Sequence, residues 1–143
     1  MRIADLLRTK GTAVATVTPE TTVTTLLTAL AEHNVGAMVV VAPDGSIAGI
    51  VSERDVVRRL NERGPALLEG QVSEIMTKLV ASCSPDDSVD QLSVLMTERR
   101  IRHVPVLADG RLAGIVSIGD VVKNRMEQLE QSQEQLQNYI AQG

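Results

Sequence analysis

The chain is predicted to be an α/β (α+β) protein, built from two β-α-β-β-α repeats packed as a pseudo-twofold pair and followed by a C-terminal helix. Three observations predict this. The sequence is internally duplicated, each copy carries the same succession of apolar periodicities and turn residues, and the composition of the last stretch turns abruptly polar while keeping an apolar stripe.

The duplication is direct. Val14-Ala15-Thr16-Val17-Thr18-Pro19 aligns with Val80-Ala81-Ser82-Cys83-Ser84-Pro85, and Val23 and Leu26 align with Val89 and Leu92. After one deletion opposite Pro43, Asp44-Gly45-Ser46-Ile47-Ala48-Gly49-Ile50-Val51-Ser52 aligns with Asp109-Gly110-Arg111-Leu112-Ala113-Gly114-Ile115-Val116-Ser117. About 18 of about 44 aligned positions are identical, too many for chance at one offset.

Each copy begins with a short extended segment and a Pro-led turn. In the first, a helix is predicted over Val23 to His33, with Leu26, Leu27 and Leu30 on one face and a Thr-rich start suited to capping. Strands are predicted over Ala37 to Val41 and Ser46 to Val51, flanking Pro43-Asp44-Gly45, since Asp and Gly accept the positive φ that hairpin turns require. A second helix follows. The second copy repeats this with strands over Val104 to Leu107 and Leu112 to Val116 around Ala108-Asp109-Gly110. Between the copies, Asn61 to Gly70 reads as a linker in which Ala66-Leu67-Leu68 could form one helical turn. The expected units are residues 1–62 for the first repeat, 63–71 for the linker, 72–125 for the second repeat and 126–143 for a helical extension. Neither copy can cover both faces of so small a sheet, so the copies should pack on each other and leave a seam.

Composition narrows the function classes. The 143 residues are 43% hydrophobic, enough for one domain or two short halves, and 14 Lys+Arg against 18 Asp+Glu give a net charge of −4. No apolar run approaches the ~20 residues of a membrane span, and no charged start leads into an apolar block, so a cytoplasmic protein with no membrane partner is expected. With Cys83, His33 and His103 the only thiol and imidazoles, no ligand set has zinc-like spacing. The acidic balance, with Tyr139 the only aromatic residue, offers neither a phosphate-neutralising face nor a stacking platform, so no nucleic-acid partner is expected.

The chemistry concentrates in two tetrapeptides at the same place in the two copies, Ser52-Glu53-Arg54-Asp55 and Ser117-Ile118-Gly119-Asp120, each after a strand and opening a helix. Ser-x-x-Asp there is a capping box, in which hydroxyl and carboxylate satisfy the first free N–H groups of the helix. The same geometry suits a nucleotide: free N–H groups and partial positive charge for a phosphate, and a carboxylate that accepts from a ribose diol. The two readings are compatible.

Ala48-Gly49-Ile50-Val51-Ser52-Glu53-Arg54-Asp55, repeated as Ala113 to Asp120, together with Ile101-Arg102-His103-Val104-Pro105-Val106, resembles the tandem cystathionine-β-synthase (CBS) domain family over roughly residues 1 to 125. The resemblance implies a Bateman module, a non-catalytic regulatory protein that senses an adenine nucleotide such as AMP, ADP, ATP or NAD(H), or less often S-adenosylmethionine. It also implies a flat homodimer, and sites that mix the two repeats. One would use Ala15, Val35, Gly36 and Ala37 with Ser117 and Asp120; the other would use Ala81, Ile101, Arg102 and His103 with Ser52, Arg54 and Asp55. The second has three potentially cationic groups and should hold phosphate better; Val39, where the second copy has Pro105, departs from the family pattern in the first.

The remaining residues have structural readings. Cys83 aligns with Val17 and is expected as a small core residue, His33 as a solvated helix end, and Met38, Met76, Met96 and Met126 as gap-filling core. From Val121 to Gln142, Val122, Met126, Leu129, Leu136 and Ile140 fall at alternating spacings of three and four with Gln133 in the missing place, a heptad-like stripe suited to pairing with a second chain. No Walker loop, no G-x-G-x-x-G and no nucleophile with an evident base occurs, so no catalysis is expected. The competing reading is a ligand-free scaffold whose Ser-x-x-Asp pairs only cap helices and whose C-terminal helix makes the contacts.

Overall fold

The computed structural model of the chain describes residues 1–11, 13–78 and 81–142; Val80 of the repeat alignment lies outside them. The first half contains helix α1 (Ile3–Lys10), strand β1 (Thr16–Val17), helix α2 (Val23–His33), strands β2 (Ala37–Val41) and β3 (Ile47–Ser52), and helix α3 (Glu53–Arg63). The second contains α4 (Val89–Arg99), β4 (His103–Ala108), β5 (Arg111–Ser117) and α5 (Ile118–Gln142). The mixed architecture of two like halves and a long final helix is the one the sequence predicts. α2 has the predicted bounds, and the strands agree with prediction to within a residue or two at each end.

Local chemistry accounts for the boundaries. The Thr22 hydroxyl accepts from Thr25 N at 3.2 Å and the Ser88 hydroxyl accepts from Gln91 N at 3.0 Å, so both middle helices start on an oxygen cap. Both end on a left-handed residue, Asn34 at φ 52° and Arg100 at φ 54°. The second hairpin turns on two consecutive positive-φ residues, Asp109 and Gly110, as a right-twisted two-residue loop requires.

The two sheets share one pattern. β2 and β3 are antiparallel with Met38 opposite Val51; β4 and β5 are antiparallel with Val104 opposite Val116. β1 joins β2 in parallel through Val17 and Val40, and Cys83 bridges Val106 in the same way. Even the register irregularity recurs, between Val40 and Val41 in the first half and between Val106 and Leu107 in the second.

Packing does not follow chain order. α1 carries no prediction, and it buries Ile3, Leu6 and Leu7 in the core of the second half, with Cys83, Val89, Leu92, Met96, Val104, Val106, Val116 and Val121. The expected linker, with the segment after it, instead completes the first core: Leu67, Val72 and Ile75 pack with Val23, Leu26, Leu30, Met38, Val40 and Val51. The hydrogen bonds of this exchange repeat one for one. Ile3 N donates to Asp87 O at 2.9 Å and Val72 N to Thr21 O at 2.8 Å; Ala4 N donates to Pro85 O at 2.9 Å and Ser73 N to Pro19 O at 3.0 Å. Pro65–Glu69, around the Ala66-Leu67-Leu68 that the sequence allows as one helical turn, form a 3-10 turn.

The last helix of the second repeat runs unbroken, as α5, into the final helix that the sequence predicts. One expectation is corrected on that helix. Met126 is 57% exposed on it, whereas Met38 and Met96 are core residues as expected. Cys83 is buried, donates to Pro105 O at 3.6 Å, and its thiol is pushed up to about 12 by burial and by Asp87.

The exchange explains the two Ala-Gly-Ile-Val-Ser glycines. A Cβ on Gly49 would lie 2.4 Å from the carbonyl oxygen of Thr77, whose backbone exchanges hydrogen bonds with Ile50 at 2.8 and 2.9 Å. A Cβ on Gly114 would meet only the tip of Leu7, at 2.8 Å. A backbone cannot step aside as a leucine tip can. Gly49→Ala is therefore expected to destabilise by about 1–3 kcal/mol and Gly114→Ala by less than about 1 kcal/mol, compared by urea unfolding; equal losses would mean that the Thr77 strand is not fixed against β3.

Candidate functional site

Both Ser-x-x-Asp boxes form. Ser52 N and Oγ donate to Asp55 Oδ2 at 2.8 and 3.0 Å, and Asp55 N donates to Ser52 Oγ at 3.3 Å. Ser117 N donates to Asp120 Oδ2 at 2.8 Å, and Asp120 N donates to Ser117 Oγ at 3.2 Å. The strand start of each half closes on the same helix start: Glu53 N donates to Gly36 O at 3.0 Å and Ile118 N to Arg102 O at 2.8 Å. The capping reading holds at both places, and at Asp55 it uses Oδ2 alone among the described residues, leaving Oδ1 able to accept from a ligand.

Around Asp55 the seam opens into a cleft of about 580 Å³, within the range that takes a small organic ligand. Its walls come from both halves. Ser52, Arg54 and Asp55 line it from the start of α3, and Ala81, Ile101, Arg102 and His103 from the second half, so the seven residues assigned to the second site lie together. Gly36, assigned to the other site, lines this cleft as well, because its carbonyl is held at the start of α3. Ile50, Val57 and Thr77 add to the wall.

Three cations come with them that have no part in the sequence reading: Arg58, Lys78 and Arg100. Arg58 follows Arg54 by one helical turn, a signal present in the sequence. Arg100 holds the left-handed position that Asn34 holds in the first half; for an arginine that conformation costs about 1–2 kcal/mol, and it directs the side chain to the cleft. Lys78 arrives only through the exchanged segment. Among the described residues, Arg54, Arg58, Lys78, Arg100 and Arg102 make no ion pair, so five guanidinium and ammonium groups face a space holding Asp55 and Glu53 as the opposing carboxylates. Such a surplus of positive charge in a concave site focuses anions.

His103 is not one of these charges. Burial and the Lys10 ammonium lower its pKa, Asp120 opposes that, Arg102 adds to it and Glu53 opposes it, and the sum leaves the imidazole neutral near pH 7. The three potentially cationic groups of the sequence reading reduce to Arg54 and Arg102, supplemented by the three above.

The Asp120 side differs. Lys10, the last residue of α1, places its ammonium on Asp120 Oδ2 and donates to Ile115 O at 2.6 Å. Burial raises the Asp120 pKa, but the Lys10 contact and the Ser117 N–H and hydroxyl outweigh it and hold the carboxylate below its usual range. Of the other residues assigned to this site, Ala15 packs partly buried against the first core, Ala37 is buried in β2 and Val35 is exposed; none lines the Asp55 cleft. Lys10 and the Ser117 N–H thus share Asp120 Oδ2, while Oδ1 accepts nothing among the described residues, as at Asp55; what sets this side apart is the ammonium held against its carboxylate. Among the described residues no group of three or more His, Cys, Asp or Glu is placed to hold a metal, and no helix is long and apolar enough to cross a membrane.

The CBS domain profile matches residues 3–62 and 72–127. The chain belongs to the CBS domain family. It is 36% identical to the mitochondrial CBS domain-containing protein CBSX3 of Arabidopsis thaliana over 150 residues, 99% of this chain and 72% of that one. The CBS-domain protein ATU1752 of Agrobacterium tumefaciens superposes with a TM-score of 0.84 at 46% identity, covering 87% of this chain and 99% of its own. The CBS domain pair of protein MJ0100, in complex with 5'-methylthioadenosine and S-adenosyl-L-methionine, superposes with a TM-score of 0.76 at 25% identity, covering 86% and 98%. The two CBS repeats are therefore the halves described above.

Because the folded state holds His103 below its ordinary value of 6.5, the unfolded chain takes up a proton that the folded chain refuses as pH falls through 6.5. Stability should be full above that value and decline below it. Over about pH 7.5 to 5.5, above the carboxylate range, the melting temperature is expected to fall, and His103→Gln should flatten that fall; an unchanged slope in the variant would place the proton uptake elsewhere.

Proposed function

We propose that the protein is a non-catalytic regulatory module of the cytoplasm that binds an adenine nucleotide, of the AMP, ADP, ATP or NAD(H) type, in the Asp55 cleft. It would act as a homodimer on a downstream protein. The observation that carries this reading is the cluster of five cations without ion pairs, among the described residues, around a helix start whose capping aspartate keeps one oxygen free. Phosphates take the cations and the α3 N–H groups, a ribose diol donates to Asp55 Oδ1, and Ile50, Val57, Ala81 and Ile101 offer an apolar surface to a base. The adenosine compounds bound by the MJ0100 domain pair support an adenosine moiety; the local positive charge supports a phosphorylated one in this chain.

A route from ligand to output is built in. Arg102 lines the cleft, and its carbonyl accepts from Ile118 N, the first residue of α5. A ligand that draws the Arg54 and Arg102 walls together acts on the base of the helix that leaves the domain, and it shifts conformation by as much as it prefers the closed arrangement.

Thermal denaturation with AMP, ATP, NADH and S-adenosylmethionine tests the reading. A ligand at 100 times its dissociation constant adds about 2.7 kcal/mol, on the order of 5 to 15 °C for a chain of this size. ATP is expected to shift the midpoint more than S-adenosylmethionine, which is cationic, and the shift should shrink with added salt and vanish in Asp55→Asn. If none of the four moves the midpoint, the scaffold reading, which the exposed stripe of α5 favours, replaces this one.

The Lys10 contact makes the two sides unequal. Wild-type protein should bind one AMP per chain in titration calorimetry. In Lys10→Met, Asp120 is released and the ratio is expected to rise toward two; a ratio fixed at one would show that Lys10 is not what closes that side.

A further inference from the structure

We propose that α5 pairs with α5 of a second copy of this chain as a parallel, in-register, two-stranded coiled coil, with Gln133 opposite Gln133 at its centre. The helix runs 25 residues, about 37 Å, and only its first part touches the domain. Val121 is buried there and Asn124 and Gln128 are half-buried, whereas from Leu129 to Gln142 every residue is exposed. The apolar stripe lies to the side of the domain-facing row: Val122, Met126, Leu129, Leu136 and Ile140 are 50–68% exposed. The chain's own domain leaves this stripe uncovered, and a polar helix projecting alone into water has little to hold it.

The order of residues selects the occupant and its direction. The spacing puts Val122, Leu129 and Leu136 at d positions and Met126, Gln133 and Ile140 at a positions over nearly three heptads. In a parallel pair each layer meets itself, so Gln133 faces Gln133 and each amide can donate to and accept from the other. The flanking positions are then complementary, with Arg125 at g opposite Glu130 at e of the second copy, twice by symmetry. The exposed contact of Arg125 with Asp90 at 3.7 Å is the one this pairing exchanges. In an antiparallel pair the same stripe would set Gln133 against Leu129 in two layers, leaving both amides without partners, and would bring Glu130 against Glu130. Both costs oppose that arrangement.

Sedimentation equilibrium and single-cysteine cross-linking decide it. At micromolar concentration the full chain is expected at twice its 15.4 kDa mass, and Leu129→Glu, on a 62% exposed residue, should return it to single-chain mass with its circular dichroism below the helix signal of α5 and its melting cooperativity retained. With oxidised glutathione as oxidant, Met126→Cys and Ile140→Cys should each give a disulfide-linked dimer, while Gln131→Cys, on the far side of the helix, should not. Native Cys83 is buried with its thiol pushed up to about 12, so it contributes no background. A single-chain mass for the wild type, a twofold mass that survives Leu129→Glu, or a silent Met126→Cys would each overturn the proposal, the last because the antiparallel pairing separates the two copies of residue 126.

Discussion

The exchange of N-terminal segments between the two CBS repeats is the constraint on which the rest depends. Each repeat is too small to bury its own sheet, and each is completed by the stretch that precedes the other. Ile3, Leu6 and Leu7 fill the second core; Val72 and Ile75 fill the first. The matched hydrogen bonds, Ile3 N to Asp87 O and Val72 N to Thr21 O, fix the same docking twice. Neither core can open without drawing its completing segment across the seam, so the seam inherits the rigidity of both cores. A cleft placed there has walls whose relative position is set by the burial of apolar groups well away from it.

The same exchange makes the two sides chemically different. Thr9-Lys10 and Thr77-Lys78 end the two swapped segments, but the first segment is a full α-helix and the second a 3-10 turn over Val72–Glu74 followed by backbone in which Thr77 bridges Ile50. The helix carries Lys10 onto Asp120. The extended backbone after the turn leaves Lys78 on the wall of the Asp55 cleft, where it makes no ion pair among the described residues. One lysine neutralises a capping carboxylate and the other adds to an anion-attracting surface. The two halves keep both Ser-x-x-Asp boxes, and the difference between their helix starts goes with the different local geometry of the swapped segments.

Much of this was legible in the residues, for reasons that are local. The bounds of α2 follow from the Thr22 cap and the left-handed Asn34; the hairpins follow from Asp44-Gly45 and Asp109-Gly110; the boxes at Ser52 and Ser117 follow from the repeat itself. What escaped was non-local. α1 has only Ile3, Leu6 and Leu7 to mark it, and the core they enter lies far downstream in the chain. Lys78 and Arg100 reach the cleft only once the seam is closed, and Gly36 joins it because of a backbone hydrogen bond to Glu53 that no pattern of side chains announces. The charge state of His103 was likewise illegible, since it depends on burial and on Lys10 from another element.

The proposed binding and the proposed assembly would meet at the start of α5. Arg102 offers its side chain to the cleft and its carbonyl to Ile118 N, while His103 pairs with Ser117 across the ladder and Ser117 caps the helix with Asp120. A movement of β4 toward a bound anion therefore acts on the helix through a backbone hydrogen bond and a cap, both short and directional, rather than through flexible side chains. Because α5 is continuous from that cap to Gln142, a small rotation at its base becomes a larger displacement at its far end. A cation-lined cleft and an exposed apolar stripe would be unrelated features if they lay on separate elements. Joined at one helix, they would form a lever on the proposed reading, the residues that meet the anion also setting the direction of the stripe.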